Sequence, residues 1–348
     1  MKKIISLLLV VALAFTVVAL VGCNGDKQPE EEVAANLKLG YGVVSSYKEA
    51  KNADGDTNGE GEMNTTVAAV LLDAEGKIIK VALDSVQAKA NWTSEGKAVP
   101  TEKYATKYEL GKDYGMAAYG TDLNGDGVVK EWNEQADAFV TAVTGKTIDE
   151  AKALVAEDGY GKEDLATAGC TMNVAEYIAA VEKAVKNAAD SKATADDTLK
   201  VALSTSAKNK DAAEDAEGAV EIDTSIAVAV VNAEGKVVAS KTDALQGKFG
   251  FDAKGVSSLD AKAEIKTKVE QGTDYGMAAY GTDLNGDGVV KEFNEQAAAF
   301  DGACEGKTAD EIAAFVVEGY GTEDIQTAGC TIAIAGMADA MVKAATVA

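Results

Sequence analysis

The run Asp122-Leu-Asn124-Gly-Asp126-Gly127-Val128-Val129 sets oxygen-bearing side chains at alternate positions of a short polar segment. Alternate residues of a tight turn point the same way, and a hard cation such as Ca2+ takes about six to eight oxygens. Gly127 permits the sharp bend, and Val128 offers its backbone carbonyl. The twelfth position of such a loop normally holds a bidentate carboxylate; here it is Asn133, with one neutral oxygen. The affinity expected is therefore weak, around 10⁻⁴–10⁻³ M, and the role structural. The ion would fix the start of the helix carrying Trp132. Asp283, Asn285, Asp287, Val289 and Asn294 repeat the pattern at the start of the helix carrying Phe293. The loop is similar to the EF-hand and dockerin loops in its first two-thirds, and its double occurrence favours calcium over the alternative, a plain Asn/Asp/Gly turn that binds nothing.

A second pair of segments carries different chemistry. Asp164 to Tyr177, "DLATAGCTMNVAEY", and Asp324 to Met337, "DIQTAGCTIAIAGM", set a small-residue turn before a helix. Gly169 and Gly329 let a ligand approach the backbone. Thr171 and Thr331 stand where a helix N-terminus holds an anion such as phosphate. Cys170 and Cys330 fill one slot in both segments. A thiol there is either activated by the helix or buried as a small apolar residue, and a Cys304–Cys330 bridge stays open. Ordinary helix capping accounts for the same turn without any ligand.

Both motifs belong to a larger duplication. "YGMAAYGTDLNGDGVVKE" occurs identically from Tyr114 and from Tyr275, and flanking segments match at an offset of about 160 residues. Two homologous domains are expected at 37–188 and 199–348, joined by a polar linker over 189–198. In each, apolar runs around "DAEGK" or "NAEGK" predict a β-hairpin (Val67–Leu72 with Ile78–Leu83, and its counterpart). Helical spacing then covers Lys130 to Val143. Thr147 with Glu150, and Thr308 with Glu311, fit capping boxes for a second helix, and a third is expected from about Asn173 to Asn187. Strands first and about three helices after them means α+β.

The chain has 348 residues, 33 basic against 57 acidic, and a net charge of -24. That acidity argues against nucleic acid as a partner. The absence of histidine removes Ser-His-Asp and Cys-His catalysis and His-ligated metals. Four cysteines are too few for a disulfide scaffold in a chain of this length. At the start, Lys2 and Lys3 precede an apolar run from Ile4 to Val21, then Gly22 and Cys23. This reads as an export signal over 1–22. "LVGC" resembles a bacterial lipobox, which implies cleavage before Cys23, acylation of its thiol and attachment to the outer face of the cytoplasmic membrane. Residues 23–36 read as a tether.

A β-hairpin module followed by a helix and "AGCT" resembles the FMN-binding domain of extracytosolic flavoproteins, some of them tandem-domain lipoproteins of Gram-positive bacteria. Their motif runs D-x-x-S/T-G-A-T, and a dedicated transferase attaches FMN through its phosphate to the threonine hydroxyl. The resemblance implies FMN on Thr171 and Thr331, with a flavin transferase and membrane redox proteins as partners. Gly169, Thr171, Gly329 and Thr331 match the motif. Ala168 and Ala328 replace its Ser/Thr, Cys170 and Cys330 replace its Ala, and Asp164 lies one residue further upstream. Two function classes follow. One is a redox carrier in which the flavin does the chemistry. The other is a calcium-stabilised surface binding module without flavin. No pair of carboxylates marks a hydrolase.

Overall fold

In a computed structural model of the chain, residues 36–101, 103–118, 129–279 and 290–346 are described. Three long antiparallel strands open the first copy: β1 (Lys38–Lys51), β2 (Gly59–Leu72) and β3 (Ile78–Trp92). Short strands β4 (Ala98–Val99) and β5 (Lys103–Tyr104) follow, then helices α1 (Lys107–Leu110), α2 (Trp132–Val143), α3 (Ile148–Lys152), α4 (Glu163–Thr167) and α5 (Ala175–Lys186). After β6 (Ala189–Asp190), the second copy repeats the plan. Its strands are β7 (Thr198–Lys210), β8 (Gly218–Val231), β9 (Val237–Phe251), β10 (Val316–Val317) and β11 (Tyr320–Gly321). Its helices are α6 (Lys268–Gln271), α7 (Phe293–Cys304), α8 (Ala309–Ala313), α9 (Glu323–Thr327) and α10 (Ala335–Ala345). The described residues are thus α+β, with antiparallel sheets and ten α-helices.

The strands are longer than the apolar runs suggest. Residues 59–66 carry Gly, Glu, Asn and Thr, which read poorly as strand, yet they pair in register with β1 and β3. Alternation explains why they hold. Met63, Val67, Ala69 and Leu71 of β2 face the second copy's sheet. Ala68, Val70 and Leu72 face the helices of their own copy. In β8, Ile222, Ile226, Val228 and Val230 meet the first sheet, while Ala227, Ala229 and Val231 lie under α7 and α10. The order of layers is helices, sheet, sheet, helices. Gly40 and Gly42 let α5 lie close on β1; a Cβ there would strike the carbonyls of Ala184 and Ala180.

Equivalent residues of the two copies meet across the sheets, as at a two-fold axis. Trp92 stacks on its counterpart Phe251 with centroids 5.2 Å apart, and its Nε1 donates to Gly255 O. Lys183 of α5 pairs with Glu270 of α6 at 2.8 Å, and Lys343 of α10 with Glu109 of α1 at 2.8 Å. In the segment expected as a polar linker, β6 pairs with Lys38 and Leu39, and Ala193 is fully buried. The segment β5 of the first copy hydrogen-bonds to β7 of the second. Ala35–Ala348 accordingly forms one compact unit.

Each copy also seats a buried aspartate at this junction. Asp84 Oδ1 accepts from Ser85 N and Tyr108 N, tying the edge of β3 to the first turn of α1. Asp243 does the same with Ala244 N and Val269 N, and accepts from Tyr41 Oη as well. Burial pushes both carboxyls up to about 6 against the bonds that favour the anion. The folded value lies above the unfolded one. The stabilising contribution is therefore complete below 3.8 and lost as the pH rises through about 6. Asp84→Asn keeps an acceptor for both N–H groups and removes the charge. Urea midpoints at pH 5 and pH 8 are expected to fall less for the variant, leaving it about 1–3 kcal/mol more stable than the parent at pH 8.

Candidate functional site

Helix α2 buries Trp132, Ala136, Phe139 and Val143 along one face. Gln135 lies on the same side, 3% exposed, and its amide is used completely. Its Oε1 accepts from Thr171 N (2.9 Å), Thr171 Oγ1 (3.1 Å) and Met172 N (2.9 Å). Its Nε2 donates to Lys130 O (3.0 Å) and meets Met116 Sδ (3.4 Å). In the second copy, Gln296 Oε1 accepts from Thr331 N, Thr331 Oγ1 and Ile332 N, and Nε2 reaches Lys291 O and Met277 Sδ. One amide per copy therefore joins the threonine motif to both ends of the identical stretch. These ends are further pinned by Tyr114 Oη on Gln87 Oε1 and Ala117 N on Glu131 Oε2.

The threonines are not at a helix N-terminus. Helix α5 starts at Ala175 and α10 at Ala335, each with an apolar N-cap residue, and the Thr171 and Thr331 N–H groups are spent on glutamine. Gly169 and Gly329 have φ of 100° and 104°, a conformation that suits glycine. In each, the space a Cβ would need is taken by a lysine ammonium, Lys130 Nζ and Lys291 Nζ respectively. Cys170 and Cys330 are fully buried, and burial pushes both thiols up to about 11, opposite to helix activation. Cys304 is buried in the same core as Cys330, its thiol also raised by burial, and all three are free thiols.

Thr331 opens onto a cavity of about 800 Å³ whose walls include Gln296, Met277, Ile332, Gln326 and Tyr320. Its rim is the β10–β11 hairpin, with Val317 and Tyr320 each at least half exposed. Glu318 and Gly319 turn this hairpin with φ of 51° and 89°, the pattern of a type I′ turn. The first copy differs here: its turn is one residue longer, Ala156 to Gly159, and carries Glu157 and Asp158. Tyr160 remains 47% exposed in the place of Tyr320.

Of the expected calcium ligands, Asp122, Asn124, Asp126, Val128, Asp283, Asn285, Asp287 and Val289 lie outside the described residues, as does Cys23. Asn133 Oδ1 is buried and has no hydrogen-bond partner among the described residues, whereas Asn294 is exposed and lines the junction cavity beside Asp243 and Asp301. Glu134 and Glu295 accept from the backbone N–H of Glu131 and Glu292 and so serve the helix starts. Among the described residues no three metal-binding side chains cluster.

Sequence reasoning missed Gln135, Gln296, Lys130 and Lys291. The available signal was the survival of "KEWNEQ" as "KEFNEQ". Comparison of the chain with known protein families, curated proteins and solved structures returned no match.

Replacing Gln135 by Ala strips Thr171 N and Met172 N of their acceptor, at an expected cost of about 2–4 kcal/mol. Gln135→Glu keeps the acceptor but sets a carboxylate against Lys130 O, and should cost less. Thermal unfolding of the two variants checks the order.

Proposed function

We propose that this chain is a lipid-anchored extracytosolic carrier built from two homologous copies of one FMN-binding-like domain. The observation that carries it is the cavity at Thr331, whose wall also holds the half-exposed Tyr320 and the rim carboxylates Glu318 and Glu323, with the Lys291 ammonium over Gly329 two residues upstream of the threonine. The residues present fit the flavin nucleotide. Esterification of Thr331 Oγ1 would remove one hydrogen bond to Gln296 and leave both backbone N–H bonds to that amide in place. A cavity of this size accommodates a ligand of mononucleotide dimensions. Thr171 and Thr331 would hold the group by its phosphate, and Tyr320 would offer a face for its ring system. The bound flavin supplies reversible electron transfer, so the chain needs no acid–base residue of its own. Cys23 would carry the lipid, a flavin transferase would load the threonines, and membrane redox proteins would exchange electrons.

Intact mass of the mature protein, made in a host with its own flavin transferase, tests this. The expected gain is one or two FMN groups, abolished by Thr171→Ala with Thr331→Ala. An unmodified, colourless protein would refute the carrier.

The second reading is a calcium-stabilised surface module without flavin. It is favoured by Asn133 Oδ1, a buried oxygen with no partner among the described residues, at the last position of the loop pattern. Calcium at ~10 mM should then stabilise the chain by roughly 1–3 kcal/mol per loop, and Asp122→Asn with Asp283→Asn should remove the gain in melting temperature.

A further inference from the structure

The chain carries a net charge of -24, so a phosphate-bearing ligand is repelled over most of its surface. It needs a local cation wherever it binds. The same lysine in both copies supplies one at the same point. Lys130 and Lys291 lay their ammonium groups on the bare backbone of Gly169 and Gly329, two residues before Thr171 and Thr331. The lysine backbone is held as well. Its carbonyl accepts from Gln135 or Gln296, the amide that also receives the threonine hydroxyl and N–H. The main chain of the lysine and the hydroxyl of the threonine are therefore held by one side chain, and the ammonium rests on the glycine between them. A glycine at this place serves the ammonium as much as the turn, because any larger residue would evict it.

We propose that Lys291, and Lys130 in the first copy, is the cation that receives the phosphate of the ligand at Thr331 and Thr171. The inference rests on reading the Thr331 cavity as a flavin-nucleotide site. It adds a prediction that reading does not make: phosphate is recognised without any covalent bond. Ion pairing of this kind is charge-assisted and screened by salt.

The test uses full-length protein from a host lacking flavin transferase, titrated with FMN, riboflavin and inorganic phosphate by flavin fluorescence. FMN should bind at least tenfold tighter than riboflavin, inorganic phosphate should compete, and added salt should weaken FMN. The Lys130→Gln, Lys291→Gln double variant should lose tenfold or more in FMN affinity with riboflavin unaffected. Lys291→Arg together with Lys130→Arg should keep FMN within a few-fold of the parent. Melting temperatures of all variants show whether the fold is retained. Equal binding of FMN and riboflavin, no binding of either, or an unchanged Lys→Gln variant overturns the proposal. Should a Lys→Gln variant not fold, the FMN-to-riboflavin ratio and phosphate competition of the parent decide alone. Phosphate-dependent FMN binding by a chain that a transferase host leaves unmodified would refute covalent loading and uphold the lysines. Covalent loading with no phosphate preference would do the reverse.

Discussion

A buried side-chain amide cannot be left half-used, and Gln135 and Gln296 are used in full. Each accepts three hydrogen bonds from the threonine turn and donates toward two atoms, a carbonyl just ahead of its own helix and a methionine sulfur before the loop. In a medium of low polarity an unfilled amide group costs more than a filled one returns. The position of the Ala-Gly-Cys-Thr turn, the start of the following helix and the flanks of the identical stretch are thereby set together. This also bears on why that stretch has not diverged at its ends. Met116, Met277, Lys130 and Lys291 touch the glutamine or its partners, so drift at one of them disturbs the others.

The second constraint is the meeting of two equivalent sheets. Each sheet is apolar on both faces, one for its own helices and one for the other copy. Exact repetition was not needed to keep this arrangement. Trp92 opposes Phe251, and Tyr41 reaches Asp243 while its counterpart position is Val201, which has no hydroxyl to offer Asp84. The two junctions have thus diverged while the paired lysine–glutamate contacts across them persist.

Features written in local spacing were legible before the structure. The capping boxes at Thr147–Glu150 and Thr308–Glu311 form as their spacing requires, since both partners lie within one turn. The helix bearing Trp132, Ala136, Phe139 and Val143 was legible for the same reason. The first half of β2 was not, because Gly61 and Met63 there pack against Phe249 and Gly247 of the other copy, which no window on one segment contains. At the site, glycine and threonine were recognisable by type. Gln135 was not, since a glutamine inside a helix looks like any solvent-facing residue until its neighbours are known. The helix-terminus role expected for the threonines failed over four residues of chain, which the non-helical segment before Ala175 occupies.

The crossing of β5 from one copy into the sheet of the other has a mechanical consequence. Two modules joined by a string can be drawn apart by extending the string. Here the chain leaves the first copy already stitched to β7, and returns through β6 to the edge of β1. A pull on the two ends would have to shear strands before any separation began. A protease cut in the connecting segments would leave both halves in place. The two copies thereby form a single stiff body, with Thr171 of one and Thr331 of the other held at a fixed distance.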